Sequence, residues 1–246
     1  MSTGRRARRA VAVAALAALL APAGCVSTTP PPRPTTSDMV KVRRLAVVVP
    51  APGDFEVYQA RAKGAPASGA GATMAAGAAA GVVGVLIVGA TVSAMVKSED
   101  DKRTAQLRPQ LGDFSARARF VKALVETLRA GGRFETIETL EAPPVGAAAA
   151  GFDGVATARI GEWGLYLVPD RTGDALAGYA EVDMRLVVGP GRVIWDERRA
   201  ISGQGRRPLE AYVADGELLR RELGETMEAA AERVAGELLY PREDKR

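Results

Sequence analysis

The first 24 residues constrain this chain most, because they set the compartment in which the rest of it folds. A cluster of four arginines is followed by an apolar stretch over 10–21 and by Ala23-Gly24 directly before Cys25. A basic start, an apolar run too short to span a membrane and small residues at a cleavage point are typical of an export signal. We therefore predict a signal peptide over 1–24, with the mature chain beginning at Cys25.

The residues around Cys25 resemble the lipobox of bacterial lipoproteins. Ala23-Gly24-Cys25 follows Leu19-Leu20, although Pro22 stands where an aliphatic residue is usual. The resemblance implies that Cys25 is the lipid attachment site and anchors the chain in a membrane. Val26-Ser27 after the cysteine implies sorting to the outer membrane, with the protein facing the periplasm. A plain secreted protein with a stray thiol, or a Tat signal lacking its usual pattern, are the alternatives.

Once the signal is removed, the chain has no net charge. The whole sequence has 33 basic and 29 acidic residues, and the segment 1–24 holds four arginines and no acidic residue. The remainder therefore carries 29 basic and 29 acidic residues. Because nucleic-acid binding needs a net or clustered positive charge, we expect no nucleic-acid partner.

Two absences from the composition exclude whole classes of chemistry. The chain contains no histidine and a single cysteine. Histidine-based triads, Cys-His pairs and ordinary zinc sites are therefore excluded, since they need imidazole or thiolate groups. A disulfide within one chain is impossible. We expect no metal site, no cofactor and no enzymatic activity, and stability that comes from an ordinary hydrophobic core.

Composition also divides the chain into segments. Residues 25–40 are rich in proline, serine and threonine, which is typical of an extended tether. We predict a single α/β domain over 41–241, followed by a polar tail over 242–246. An Ala/Gly-rich insertion over 64–97 interrupts the domain.

The insertion has two interpretations. No charged residue lies between Lys63 and Lys97, and the span exceeds the roughly 20 residues that cross a bilayer. As a helix it would carry one stripe of small side chains suited to close helix packing or membrane contact. The stripe consists of Thr73, Gly77, Gly81, Gly84 and Val88. The alternative is a mobile low-complexity loop, because glycine disfavours helices.

The domain pattern predicts an α+β fold in which a small mixed sheet is covered by two helices. A β-branched run over 42–49 predicts a buried first strand, and 134–140 a second short strand. Residues 153–202 are typical of a three-strand antiparallel meander, bulged near Gly161 and Gly164.

Helical periodicity marks two segments of the domain. One runs from Phe114 to Leu128, with Asp113 as N-cap and Gly131-Gly132 as its end, and the other from Leu219 to Leu238. The residues from Asp100 to Arg108 are interpreted as a polar connector.

Three segments carry a second resemblance. They are Leu45–Pro50, Phe120–Leu124 with the following Gly132-Arg133-Phe134, and the hairpin Tyr179–Trp195. Together they resemble the α/β domains of the penicillin-binding-protein activator and curli-secretion lipoproteins of the outer membrane. The resemblance implies a similar fold for this domain and identifies no binding residue.

The leading hypothesis is a lipid-anchored envelope protein that acts as a non-catalytic binding or assembly component. Its partner would be another envelope protein or further copies of itself. A self-assembling, membrane-inserted oligomer that uses the insertion, similar to a secretion channel, is an alternative.

A carboxylate-dependent hydrolase is a further alternative, because two facing carboxylates suffice for glycoside hydrolysis. The candidates are Glu162, Asp183, Asp196 and Glu197. Such residues more often form a solvated strand face. Trp163 and Trp195 are interpreted as core anchors rather than as ligand platforms.

Overall fold

The computed structural model of the chain describes residues 34–59, 97–144, 151–170 and 173–243. Within them lie six strands and five helices. The strands are β1 (Arg44–Val48), β2 (Phe55–Gln59), β3 (Thr136–Leu140), β4 (Gly154–Asp170), β5 (Gly173–Val188) and β6 (Arg192–Ser202). The helices are α1 (Thr36–Met39), α2 (97–107), α3 (Ala116–Ala130), α4 (Leu209–Ala214) and α5 (Gly216–Leu239), with a 3₁₀ turn at Arg108–Leu111. The predicted combination of a mixed sheet with helices is confirmed.

The long strand β4 organises the sheet, whose order is β3-β1-β4-β5-β6. One edge of β4 pairs in parallel with β1 along its first part and with β2 along its last part, while its other edge pairs antiparallel with β5. Strand β1 lies between two parallel neighbours, and Leu45, Ala46, Val47 and Val48 are each 0 % exposed. Burial on both faces explains why its sequence is continuously apolar.

The described helices contribute their buried side chains to one core on one face of the sheet, which we call the helical face. Phe120, Leu124 and Leu128 of α3 and the long apolar stripe of α5 pack there against the inward residues of β4 and β5. Helix α3 is capped by Ser115, whose hydroxyl accepts from the Ala118 amide at 3.2 Å, and not by the predicted Asp113. The cap moves because the helix begins at Ala116, two residues after the first apolar residue, Phe114.

Residues 100–108, expected to be a polar connector, are helical. Helix α2 leads into the 3₁₀ turn, and its Leu107 is 0 % exposed. The hydroxyl of Thr104 accepts from the Val57 amide at 2.9 Å, at the edge of β2 that no strand pairs with among the described residues. The helix is therefore fixed by tertiary contacts, which its polar sequence does not reveal.

Residues 34–40, at the end of the expected tether, belong to the folded unit. Thr35 and Asp38 form a capping box at α1, and Met39 is 1 % exposed. The backbone of Thr36 donates to the carbonyl of Arg242 at 2.9 Å, which fastens the start of the domain to its C-terminal end. The part of the tether before 34 lies outside the described residues.

An irregularity near the middle of β4 makes the pairing with β2 possible. The register between β4 and β5 shifts between Ile160 and Trp163, close to the predicted glycines. Gly164 has φ of 146°, and a Cβ at this position would overlap the carbonyl oxygen of Glu56 in β2. Glycine is therefore required where the backbones of β2 and β4 come together.

Candidate functional site

The predicted lipid attachment and helix-packing residues lie outside the described part of the chain. They are Cys25, Thr73, Gly77, Gly81, Gly84 and Val88. Within the described residues, no helix is both long and apolar enough to cross a membrane. The anchor and the packing stripe therefore remain predictions from the sequence.

Of the four carboxylates considered for hydrolysis, Glu162 and Asp183 both lie near Arg198, whereas Glu197 lies apart from them. Glu197 stands opposite the core residue Met184, on the helical face, and forms an ion pair with Arg199. Asp183 lies on the other face, with its carboxylate 2.6 Å from Nε of Arg198. Because neighbouring strand residues point to opposite faces, the sheet itself separates these acids.

Both tryptophans are part of the core, as interpreted from the sequence. Trp163 is 6 % exposed, and its ring lies between Phe55, at 5.6 Å, and Phe114, at 6.0 Å. Its Nε1 donates to the carbonyl of Gly53 at 2.6 Å. Trp195 is 0 % exposed and donates to Glu197 at 3.3 Å. Neither ring forms a surface on which a ligand could stack.

Three tyrosines cluster on the face of the sheet opposite the helical face. Tyr58 of β2 is adjacent to Tyr166 of β4 in the strand register, and Tyr179 of β5 is opposite Gly164. The ring of Tyr179 lies 5.8 Å from that of Tyr58 and 5.8 Å from that of Tyr166, measured between centroids. We call this surface the tyrosine face. Among the described residues, no helix contributes to it.

Two tyrosines of this cluster remain partly accessible. Tyr166 and Tyr179 are half-buried, whereas Tyr58 is 8 % exposed. The Tyr179 hydroxyl donates to Glu181 at 3.4 Å. Burial, together with the charges of Glu181 and Glu162, raises the pKa of Tyr179 to about 12. The Tyr179 phenol therefore remains a neutral hydrogen-bond donor over the physiological range.

Carboxylates surround the tyrosines. Burial, followed by the charges of Glu56 and Glu162, raises the pKa of Tyr58 far above its ordinary value. Arg198 reaches across from β6 and forms ion pairs with Asp183 at 2.6 Å and Glu181 at 3.3 Å. The tyrosine face thus combines aromatic rings with a strip of acidic side chains.

Sequence reasoning missed this face because it did not predict β2. Pro50, Pro52 and Gly53 end the first strand, and no strand is predicted from the sequence in the residues that follow. The alternation of apolar and polar residues in Phe55-Glu56-Val57-Tyr58 is the signal that could have identified the strand. Without β2, Tyr58 could not be placed beside the other two tyrosines.

A second concave surface lies between α3 and α5 and has a volume of about 770 Å³. Phe114, Ala118 and Gly224 are among its apolar lining residues, with both acidic and basic side chains around them. Arg119 pairs with Glu228 at 3.6 Å, and Arg220 with Glu217 at 2.6 Å. We call it the helix groove. Its acidic and basic side chains balance, and two ion pairs lie among them, as expected of a solvated helix surface.

No protein-family model matches this chain, and no curated protein matches it. Solved structures that a comparison matched include protein XCC0632 from Xanthomonas campestris, of family DUF330. It is 10 % identical with a TM-score of 0.42, and the match covers 83 % of this chain and 89 % of that one. The PelC dodecamer from Paraburkholderia phytofirmans is 14 % identical with a TM-score of 0.38, covering 82 % and 91 %. The hypothetical protein CT253 from Chlamydia trachomatis is 12 % identical with a TM-score of 0.33, covering 80 % and 98 %. At these values no residue or role is transferred from these proteins.

Proposed function

We propose that this chain is a lipid-anchored component of the bacterial cell envelope that binds another protein and does not catalyse a reaction. The observation that supports this most is the tyrosine face, where Tyr58, Tyr166 and Tyr179 meet on the side of the sheet away from the described helices. Tyrosine combines a large rigid ring with a polar hydroxyl, and it is enriched at the energetic centres of protein interfaces.

The arrangement of the acidic residues favours binding over hydrolysis. Glycoside hydrolysis needs two carboxylates facing each other across the scissile bond. Asp183 and Glu197 lie on opposite faces, each paired with an arginine, and Asp183, which shares its face with Glu162, is bound to Arg198. Among the described residues there is also no group of three or more acidic side chains placed to hold a metal. The hydrolase alternative predicts that Asp183→Asn with Asp196→Asn abolishes activity on envelope glycans.

The anchor is the part of the proposal that depends on the sequence alone. Acylation of Cys25 would hold the domain at the outer membrane on its periplasmic side. The test is intact mass and membrane fractionation of the wild type beside Cys25→Ser. We expect acyl mass and outer-membrane sedimentation for the wild type only, and equal fractionation of both would remove Cys25 as the anchor.

Self-assembly through the insertion over 64–97 is the alternative within the binding class. It proposes that the stripe from Thr73 to Val88 packs copies of the chain together in the membrane. Deleting 64–97 should then abolish oligomers while leaving the far-ultraviolet circular dichroism of the domain intact. Unchanged oligomers after the deletion would rule this alternative out.

Binding through the tyrosine face is tested by affinity purification from crosslinked cells of the native host. The test variant is Tyr166→Ala with Tyr179→Ala, and the matched control is Tyr240→Ala, whose side chain is 79 % exposed and lies outside this face. We expect the proteins recovered with the wild type to be recovered with the control and lost with the double variant. Equal recovery with all three, at equal thermal stability, would contradict the proposal.

A further inference from the structure

We propose that the tyrosine face is the docking site for a cationic segment of the partner protein, which presents arginine or lysine side chains to the tyrosine rings and their neighbouring carboxylates. This inference rests on the proposed function, because it names the chemistry of the partner. It follows from three features of the face: its surplus of negative charge, its half-buried aromatic rings and the guanidinium of Arg198 that it already binds.

Acidic side chains outnumber basic ones around the tyrosines. The carboxylates are Glu56, Glu162, Glu181 and Asp183, and the basic side chains are Arg159 and Arg198. Arg159 stands opposite Asp183 in the strand register. The face therefore has a surplus of two negative charges in a chain whose predicted mature part has none. Such a local field attracts a cationic partner and sets its orientation.

The ion pairs of Arg198 show that the carboxylates of this face bind a guanidinium group. Nε of Arg198 lies 2.6 Å from Asp183 and its Nη1 lies 3.3 Å from Glu181, while 64 % of its side chain remains exposed. A guanidinium from a neighbouring strand is thus already bound by the carboxylates of β5. Charge-assisted hydrogen bonds of this type are among the stronger polar contacts in proteins. A partner's arginine would bind beside it in the same manner.

The aromatic rings extend this site toward β2. Tyr166 and Tyr179 are half-buried and stand next to the exposed Glu56 and the half-buried Glu162. A cation above a tyrosine ring is attracted by the electrons of the ring, and a nearby carboxylate strengthens the contact. Rings and carboxylates together favour an arginine- or lysine-bearing segment over a purely apolar one.

The helix groove offers the matched control. It also contains acidic side chains, among them Glu217, Glu225 and Glu228, but four basic residues line it as well. Replacing three of its glutamates by glutamine changes the net charge of the chain as much as replacing three on the tyrosine face. Any difference between the two triple variants therefore reports on location and not on overall charge.

The test measures binding of a fluorescein-labelled decapeptide of alternating arginine and serine to the full-length chain by fluorescence anisotropy. The face variant is Glu56→Gln, Glu162→Gln and Glu181→Gln, and the control variant is Glu217→Gln, Glu225→Gln and Glu228→Gln. We expect the face variant to weaken binding about tenfold and the control less than about twofold, with binding of the wild type weakening as salt rises. Tyr166→Ala with Tyr179→Ala should also weaken binding, and Tyr240→Ala should not.

Three results would overturn the inference. The first is equal weakening of peptide binding in both triple variants, and the second is no peptide binding by the wild type. The third is a dimer that forms without peptide and that the face variant abolishes, because a second copy of the chain would then occupy the tyrosine face. If the wild type does not bind the peptide but recovery of proteins by affinity purification still depends on Tyr166 and Tyr179, the partner segment is not cationic and the proposed function stands. If both fail, the proposed function is wrong as well.

Discussion

At the scale of single residues, Glu222 of α5 is the most informative. It is 7 % exposed, and its Oε1 accepts from the Gly178 amide at 3.2 Å. A Cβ on Gly203 or Gly205 would overlap its carboxylate. The side chain therefore fits only because two glycines of the loop after β6 leave room for its carboxylate. It connects the helix to the corner where β5 and β6 meet the following loop.

Removing this carboxylate should destabilise the domain. Glu222→Ala leaves a buried backbone amide without its acceptor, which costs about 2 kcal/mol, whereas Glu222→Gln keeps an acceptor oxygen and should cost less. The measurement is the free energy of unfolding in urea. The control is Glu225→Ala on the exposed side of the same helix, for which we expect a change within about 0.5 kcal/mol. Equal losses for Glu222→Ala and Glu225→Ala would show that the buried contact is unimportant.

Gly164 gives a second prediction at this scale. Gly164 has φ of 146°, and a Cβ added there would overlap the Glu56 backbone. Gly164→Ala should therefore lower the free energy of unfolding by about 3 kcal/mol. Gly236→Ala is the control, because nothing lies within 4 Å of a Cβ there, and alanine favours a helix. Urea unfolding of both variants checks this. A Gly164→Ala variant as stable as the wild type would mean that β2 can move away from β4.

At this scale, a residue's role could be predicted only where the interactions that fix it involve residues nearby in the sequence. The buried strand β1 is visible in the sequence as a continuous apolar run, and the irregularity of β4 is visible as two glycines. The role of Glu222 is not visible, because α5 carries many glutamates and the glycines around this one lie 17 to 44 positions earlier. The N-cap of α3 was placed on Asp113 instead of Ser115 for a similar reason, since both residue types cap helices equally well.

At the scale of elements, Asp153 fastens the start of β4 to the start of β1. Its carboxylate accepts from the amides of Arg43 at 3.0 Å and Arg44 at 2.8 Å, and it pairs with the Arg44 guanidinium at 3.0 Å. The Arg44 guanidinium, followed by the backbone amides, holds the pKa of Asp153 below its ordinary 3.8. The two strands are therefore held together best when this residue is ionised.

This contact predicts a pH dependence of stability. Since the pKa is lower in the folded state, the contribution is complete above the ordinary value of 3.8 and is lost as pH falls through the folded pKa. Asp153→Asn should be less stable than the wild type at neutral pH, and the difference should shrink below about pH 4. Urea unfolding at several pH values measures it. A difference that stays constant with pH would contradict the assignment.

Elements with strong periodicity could be predicted, and those fixed by their neighbours could not. Helices α3 and α5 bury an apolar stripe, so their sequences show the helical period. Strand β2 is held by its parallel pairing with β4, and helix α2 contacts β2 through the Thr104 hydroxyl, which accepts from the Val57 amide. Because this stabilisation comes from outside each segment, neither is visible when the chain is interpreted one window at a time.

At the scale of the whole molecule, the described helices and the candidate binding surface lie on opposite sides of one sheet. The helical face supplies the core, and the tyrosine face is left to aromatic and charged side chains from β2, β4 and β5. The sequence predicted the class of fold and a binding role. It could not predict the surface, because the three tyrosines come from positions 58 to 179 and meet only when β2 joins the sheet.

The most direct test of the central claim is site-specific photo-crosslinking in living cells of the native host. A benzophenone amino acid replaces Tyr179 on the tyrosine face or, as a control, Tyr240 at the end of α5, and adducts are identified by mass spectrometry. We expect a discrete adduct with one envelope protein from position 179 and none of that mass from position 240. The same adducts from both positions, or none from position 179 while the variant is folded and membrane-bound, would contradict the claim that this face binds a protein partner.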